Sequence, residues 1–334
     1  MGLEFKPDFS LSADGNDITA LIARNLISLT LTDNAGKDES DRLALNLSWP
    51  SSSPTPKKGA VLRLGLGFNG EMWDKGQFVV DEVTTSGPPR QVQIVANAAP
   101  MDNRKQPGSL QTQKTRSWSK VTLGDVVKTV AGNHGLVPKV SSSLNDVAIA
   151  HVDQVSESDM NLLTRLAKRY GAVSKPANGY WFFLKDGSGE TLSGKPLKNI
   201  TLTPDQVTNW QCRQSSRGDA KRVVATYHDV ASGETKEIAV GVGEPEFRIV
   251  FKYPNYEEAK AAVSARSKQV KDGTDVLDIT MPARASVMNL VAEGTITPSG
   301  FGDVEDSVWR TKTVEWSLSE TGLQLRLTGD HGSV

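Results

Sequence analysis

The sequence predicts a mainly β protein with a small α+β insert, its β part built as two related halves. Two hairpins and one change of period carry this reading. Phe78–Val83 and Gln91–Ala96 alternate polar and apolar residues around Ser86-Gly87-Pro88-Pro89, and Trp309–Trp316 and Leu323–Thr328 do the same around Glu320-Thr321-Gly322. On both return arms every second residue is apolar, which puts one face on a core and leaves the other wet. Between the hairpins the apolar residues fall instead at helical spacing. A hairpin closing each half reads as an internally duplicated β domain.

The elements follow in order. Ile27–Thr32 and Leu43–Trp49 alternate strictly, with Ser, Thr, Asn and Ala between the apolar positions, residues small enough for a wet or closely approached second face. Asp33-Asn34-Ala35-Gly36 is a turn signal, followed by the acidic run Asp38-Glu39-Ser40-Asp41. Ser51–Gly59 is a loop by its Ser, Pro and Lys content, and Val61–Phe68 is a third strand in which Gly65 and Gly67 mark a bulge or a close backbone approach. Residues 101–120 are polar and without a period, which predicts a linker. Thr122 and Asp125 then read as an N-cap and its N3 partner, with Leu123, Val126, Val127 and Val130 on one helical face and Gly132 and Gly135 as stops. A second helix follows Ser156–Asp159, facing inward with Leu162, Leu163, Leu166 and Tyr170 and ending at Gly171; Tyr180–Leu184 is a short buried strand after Asn178-Gly179.

The last third returns to β. Arg222–Tyr227 and Glu237–Val240 read as a hairpin around Ala231-Ser232-Gly233. Asn255 caps one helix with Glu258 at N3, and its thin stripe of Ala259, Ala262, Val263 and Val270 suits a helix lying flat on a sheet. Strands are expected at Asp275–Met281 and Leu290–Ile296 before the closing hairpin. The expected organisation is a first β domain over 1–105, an α+β insert over 106–195 and a second β domain over 196–334 that carries one helix near 256–271.

Composition bounds function more than it identifies it. The 334 residues are 37% hydrophobic and 23% charged, and 38 basic against 39 acidic residues leave a net charge of −1, so no global field draws the chain to nucleic acid or anionic lipid. No apolar run approaches the roughly 20 residues that span a bilayer. Met1–Lys6 lacks the features of a signal peptide, and the single cysteine, Cys212, excludes an intrachain disulfide, so folding in a cytoplasm is expected.

Candidate chemistry is sparse. His151-Val152-Asp153 puts His and Asp on one side of an extended segment, but no second ligand cluster accompanies it. His134 reads as part of a helix terminus, His228-Asp229 as turn chemistry, His331 as tail, and Cys212 as a small half-buried thiol. Glu157 with Asp159, or Asp303, Glu305 and Asp306, could be imagined as a carboxylate dyad; the first two are better explained as first-turn helix residues and the others as a solvated loop. Gly65-Leu66-Gly67 and Gly241-Val242-Gly243 lack the third glycine and the strand-to-helix context of a dinucleotide site. Arg217-Gly218-Asp219, beside Lys221 and Arg222, reads as a solvated turn. No catalytic, cofactor or metal residue is expected, and no enzymatic activity.

Several stretches, in order, resemble the late control protein D family, the tail-hub proteins of contractile-tailed phages and phage-like bacteriocins. They are Ile27–Asp33, Glu39-Ser40-Asp41-Arg42-Leu43, Lys58-Gly59 with Leu64–Gly67, Gly76–Val83, Thr122–Val127 leading to Asn133-His134-Gly135-Leu136, Gln154–Ala167, Ala265-Arg266-Ser267, Trp309 and Thr321-Gly322-Leu323. Together they cover nearly the whole chain. The resemblance departs at Met281-Pro282-Ala283-Arg284, where the family often has Pro-Gly and a second glycine and this chain keeps only the proline.

The resemblance implies two tube-type β-barrel or sandwich domains, three copies of which form a pseudo-hexameric ring with edge strands paired between subunits. It implies a baseplate hub that adapts a sixfold tail tube to a threefold central spike, assembled in the bacterial host cytoplasm into the virion tail. The implied partners are two further copies of the chain, the central spike, the tail tube or its initiator, the tape-measure protein and the baseplate wedge; neither membrane insertion nor sequence-specific nucleic-acid binding is implied. The hub-like portion of a secretion-system spike, whose chains usually run on into a β-helical needle, and a tail-associated peptidoglycan hydrolase are the alternatives.

Overall fold

A computed structural model describes residues 6–35, 40–50, 57–98, 110, 112–177, 179–186, 199–215, 220–272 and 275–331. The first third forms β1 (Pro7–Ala13), β2 (Asn16–Asp17), a short α1 (Thr19–Ala23), β3 (Leu26–Asn34), β4 (Arg42–Ser48), β5 (Val61–Phe68), β6 (Glu71–Ser86) and β7 (Gln91–Ala98). The glycines of β5 behave as their spacing implies. The β5–β6 ladder shifts register between Leu64 and Gly65, and a Cβ on Gly67 would run into the backbone of Glu71.

Of the linker expected over 101–120, residues 101–109 and 111 lie outside the described residues, and 113–120 are not a linker but part of a strand. Residues 113–122 form β8 (Gln113–Thr122), a wet strand paired with β10 (Ala148–Ser158), which is why its composition shows no clear period. Around this ribbon stand α2 (Leu123–Asn133), β9 (Val137–Val140), α3 (Ser142–Asn145), α4 (Asp159–Tyr170), β11 (Ala172–Ala177) and β12 (Tyr180–Lys185). The expected caps form: Thr122 and Asp125 exchange hydrogen bonds in a capping box, Ser158 accepts from the Asn161 amide, and Gly171 closes α4 in the left-handed conformation. Leu123, Val126, Val127, Val130, Leu162, Leu163 and Leu166 are fully buried, with Trp181 and Phe183 of β12, in a core of the insert's own.

The last third supplies β13 (Asn199–Leu202), β14 (Asn209–Arg213), β15 (Arg222–Asp229), β16 (Glu234–Gly241), β17 (Glu246–Tyr253), α5 (Tyr256–Asp272), β18 (Val276–Pro282), β19 (Thr295–Pro298), β20 (Trp309–Ser319) and β21 (Gly322–Asp330). The expected 222–240 hairpin forms, but with β17 it makes a separate three-stranded sheet on which α5 lies, Ala259, Ala262 and Val263 packing on Val223 and Ala225. The strand expected over Leu290–Ile296 begins only at Thr295; Ala285–Val287 is a single 3₁₀ turn, and Glu293 holds a left-handed φ of 76°.

Both halves join in one 13-stranded sheet, ordered β14-β18-β21-β20-β3-β4-β7-β6-β5-β1-β2, with β19 beside β20 and β13 beside β19. Their apolar faces meet in a single core that runs from Phe9 through Leu45 and Ile94 to Ile279, Trp316 and Leu327. Within this sheet the four strands β14-β18-β21-β20 repeat the connectivity of β3-β4-β7-β6. The repeat extends to detail. Each hairpin carries a bulge at the same place, between Val80 and Glu82 opposite Ala96 and Val95, and between Thr311 and Thr313 opposite Gly329 and Thr328. Registered on those bulges, Leu43, Leu45 and Leu47 of β4 correspond to Leu277, Ile279 and Met281 of β18, all six buried. The flanking strands differ in one respect: β1 runs antiparallel to β5, whereas β13 runs parallel to β19.

Candidate functional site

Three features of the sheet stand out: the seam between its halves, the polar face beside it, and the joint that docks the insert. At the seam β20 pairs antiparallel with β3, from Thr313 opposite Asn34 to Ser319 opposite Ser28. Its core side is Trp316, Leu318, Leu29 and Leu31, and Lys75 lays its ammonium 4.1 Å from the Trp316 ring centroid while donating to the Met288 carbonyl at 2.6 Å. Burial lowers the Lys75 pKa to about 8, against the opposing pull of Asp33.

The other side of the same strands is polar without being strongly charged. Ser28, Thr30 and Thr32 of β3 stand beside Asn46 of β4, Gln93 of β7, Thr84 of β6, Ser317 of β20 and Gln324 of β21 in the ladder. The Asn46 amide donates to Ser28 at 2.9 Å, and the Thr30 and Ser317 hydroxyls meet across the seam at 3.4 Å. Charges on this face balance, Arg42, Arg213 and Arg326 against Glu82, Asp278 and Glu315, and Arg326 is tied to Asp278 at 3.1 Å. The alternation of small polar residues seen in the sequence therefore builds one continuous neutral surface.

The insert is held to the sheet by partly buried and buried charges drawn from distant parts of the chain. Lys175 of β11 reaches Asp41 at 2.6 Å and Asp33 at 3.6 Å. Asp186 meets the Arg310 guanidinium at 2.6 Å, and Arg310 in turn forks onto both oxygens of Asp330. Burial, aided by Asp41, raises the Asp33 pKa to about 6, and burial with the nearby Asp186 raises that of Glu293 to about 7. A carboxyl whose folded pKa lies above its unfolded value holds an extra proton in the native state, so stability falls as pH rises through that window. Replacing Glu293 by Gln is accordingly expected to stabilise the protein at pH 8 by roughly 3 kcal/mol, since each tenfold change in proton affinity is worth about 1.4 kcal/mol, and to change little at pH 4.5. Chemical denaturation at the two pH values checks this; an equal effect at both would contradict it.

The residues singled out in the sequence are placed as follows. His151 does face Asp153, Nε2 to Oδ1 at 3.0 Å, and Ser119 Oγ approaches His151 Nδ1 at 2.7 Å. This chain of contacts lies across one face of the two-stranded β8–β10 ribbon, with both His151 and Asp153 side chains more than half exposed. Water-exposed cross-strand pairing accounts for it. His134 is the C-cap of α2, the helix terminus the sequence indicates, and it is buried, with Nε2 2.8 Å from Asp159. Asp159 is indeed a first-turn residue of α4, but it is also fully buried between Lys114, Arg116 and Gln154, a role that only the strand identity of residues 113–122 could have revealed. Burial raises its pKa, and the bonds from Lys114, Gln154 and His134 with the charge of Arg116 more than reverse this, leaving it lowered. Glu157, expected in the first turn, instead lies in β10 before the Ser158 cap, where it pairs with Arg165 at 2.7 Å. Asp306 accepts the amides of Gly300 and Phe301 in a loop, while Asp303 and Glu305 stay in the same loop. Cys212 is half-buried, His228 is the penultimate residue of β15, and His331 stacks on Trp309. Arg217-Gly218-Asp219 lies outside the described residues. Among the described residues no group of three His, Cys, Asp or Glu is placed to hold a metal, and no helix is long and apolar enough to cross a membrane.

The structure is thus a double-unit β sheet with a neutral polar face and a charge-docked α+β insert, and the comparisons with known proteins say which family it belongs to. The chain belongs to the phage tail baseplate hub family (GPD), whose family profile matches residues 108–322. It is 39% identical over 228 residues to the probable baseplate hub protein of Escherichia phage 186, covering 68% of this chain and 57% of that protein, and 41% identical over 204 residues to its counterpart in Escherichia phage P2, covering 60% and 51%. The chain thus spans little more than half the length of these curated relatives. In fold it is similar to a 43 kDa prophage tail protein from Shewanella oneidensis (TM-score 0.71, 14% identity, 97% and 98% of the two chains). It is likewise similar to a type VI secretion component of Escherichia coli (TM-score 0.58, 12% identity, 96% and 76%), itself described as structurally similar to the T4 bacteriophage tail proteins gp27 and gp5.

Proposed function

We propose that three copies of this chain form the hub ring of a contractile phage tail baseplate, adapting a sixfold tail tube to a threefold central spike. The repetition of one four-stranded unit in each half, down to the position of the bulge, carries this reading. Three chains with two such units each present six similar segments to a tube and three identical chains to a spike. We take the repeat as an internal duplication, with tube-like domains over 1–105 and 196–334 and the insert over 106–195.

The neutral polar face suits the wall of the channel. Unpaired Arg or Lys there would retain a polyanion passing through; Arg326 is tied to Asp278, and Arg42 and Arg213 are equalled in number by Glu82 and Glu315 on the same face. In this reading the role is structural rather than enzymatic, and the tail tube or its initiator, the spike, the tape-measure protein and the baseplate wedge are the partners. Imaging purified particles down their axis tests it. Three chains enclosing six similar wall segments are expected; a filament, or no ring in the presence of the spike, would contradict it. The fold likeness to secretion-system components fits the same geometry, and association with a tail tube rather than a secretion tube separates the two settings.

A further inference from the structure

The insert has a core of its own and grips its two neighbours in different ways. On α5 it packs closely: Ala261 lies against the insert core, Gly171 sits against Ala265, and Arg169 pairs with Glu258. On the large sheet it is held by charge. Among the described residues, carboxyl groups crowd this joint from both sides: Asp33, Asp41, Glu293 and Asp330 from the β halves, and Asp186 from the insert. Facing them are Lys175 of β11, Arg310 of β20, Lys75 of β6, and Lys268 of α5, which donates to the Asp186 carbonyl at 3.2 Å.

Two of these carboxyls stand closer than two anions should. Asp33 and Asp41 both reach Lys175, and they also hydrogen-bond to each other. A bond between two carboxyl groups exists only while one of them carries a proton. Asp33 further accepts the Ala292 amide at 3.0 Å, which brings it beside Glu293. Glu293 is fixed by its left-handed φ and by its amide, which donates to the Thr311 carbonyl at 2.7 Å. Around it stand Asp186, Lys175, Arg310 and Asp33.

We propose that this joint is a proton-operated latch: the insert docks on the large sheet while Asp33 and Glu293 are protonated, and parts from it, pivoting on α5, when they ionise. The insert moves as a unit because its core is separate from that of the sheet. Burial, and after it the charge of Asp41, raises the Asp33 pKa to about 6; burial, and after it Asp186, raises that of Glu293 to about 7. Lys175 and Arg310 do not offset this. Both values lie above those of free carboxyls, so docking is fullest in mild acid and is lost as pH rises through them. Lys75, lowered to about 8 by burial, gives up a facing charge just above that window and pushes the same way. Parting admits water and returns both carboxyls to ordinary values, so each one, once ionised, shifts the balance toward the open form by about a hundredfold. The latch is independent of the ring reading above.

Pulsed electron paramagnetic resonance reads the movement. In a Cys212→Ser background, Lys128→Cys on α2 and Glu320→Cys at the closing hairpin, both exposed, each carry a nitroxide. Excess unlabelled chain ensures that only distances within one chain count. A single narrow distance is expected at pH 5.5, and a second distance at pH 8.5. Asp33→Asn supplies an amide that donates to Asp41 without a titrating proton, and Glu293→Gln removes the other charge. Each is expected to cut the second population at pH 8.5 by about tenfold or more. One unchanged distance at both pH values in the parent protein would overturn the latch. So would either variant opening as fully as the parent, since the movement would then follow titration elsewhere.

Discussion

Replacing Trp316 by Ala is expected to cost about 3–5 kcal/mol of unfolding free energy, the range for deleting a fully buried tryptophan when its surroundings only partly collapse. The position is sensitive because Trp316 sits on the seam. It pairs with Leu325 in its own hairpin and Leu31 in the other half, and Lys75 from the first half covers its ring. Because one core runs through both halves, the loss is expected in a single transition rather than in one half alone. Guanidinium denaturation followed by tryptophan fluorescence and by far-ultraviolet dichroism gives both results. Non-coincident transitions, or a loss below about 1 kcal/mol, would show that the halves do not depend on this seam.

Arg310→Ala should be comparably damaging for a different reason. The Arg310 side chain is nearly buried, bonded to both oxygens of Asp330 and to Asp186 of the insert. Removing it leaves Asp330 and Asp186 with little solvent and without the guanidinium that bridges them, a situation that typically costs about 3–5 kcal/mol. Replacing Arg310 and Asp330 together by Met and Leu should recover much of that loss, since buried pairs contribute little over a well-packed apolar substitute. If the double variant is as unstable as Arg310→Ala, the damage comes from lost packing of the side chain rather than from unpaired charge.

Much of the fold was legible because its signals are local. Strict alternation at Ile27–Thr32, Leu43–Trp49 and both hairpins found strands that bury one face, and Thr122, Ser158, Asn255 and Gly171 marked helix ends through bonds made within four residues. The errors were non-local. Residues 113–122 carry no period because a two-stranded ribbon wets most of that strand, and Leu290–Gly294 looked strand-like but turns through Glu293.

The candidate site was half visible. The small polar residues of the neutral face could be read off the alternation. The seam could not, because it joins residues 28–34 to 313–319, nor could the salt-bridge joint linking Asp33 and Asp41 to Lys175 and Asp186 to Arg310. The hairpins pointed to a repeat, but only their matching bulges and the shared strand order give its register.

The mass of the assembled particle tests the central claim most directly. Light scattering on the purified chain, alone and co-expressed with the central spike protein of the same tail, should find three chains, about 108 kDa from three times 36.1 kDa, in at least one preparation, plus the spike's own mass where it is bound. A strict monomer of 36.1 kDa in both would remove the symmetry match on which the hub reading depends.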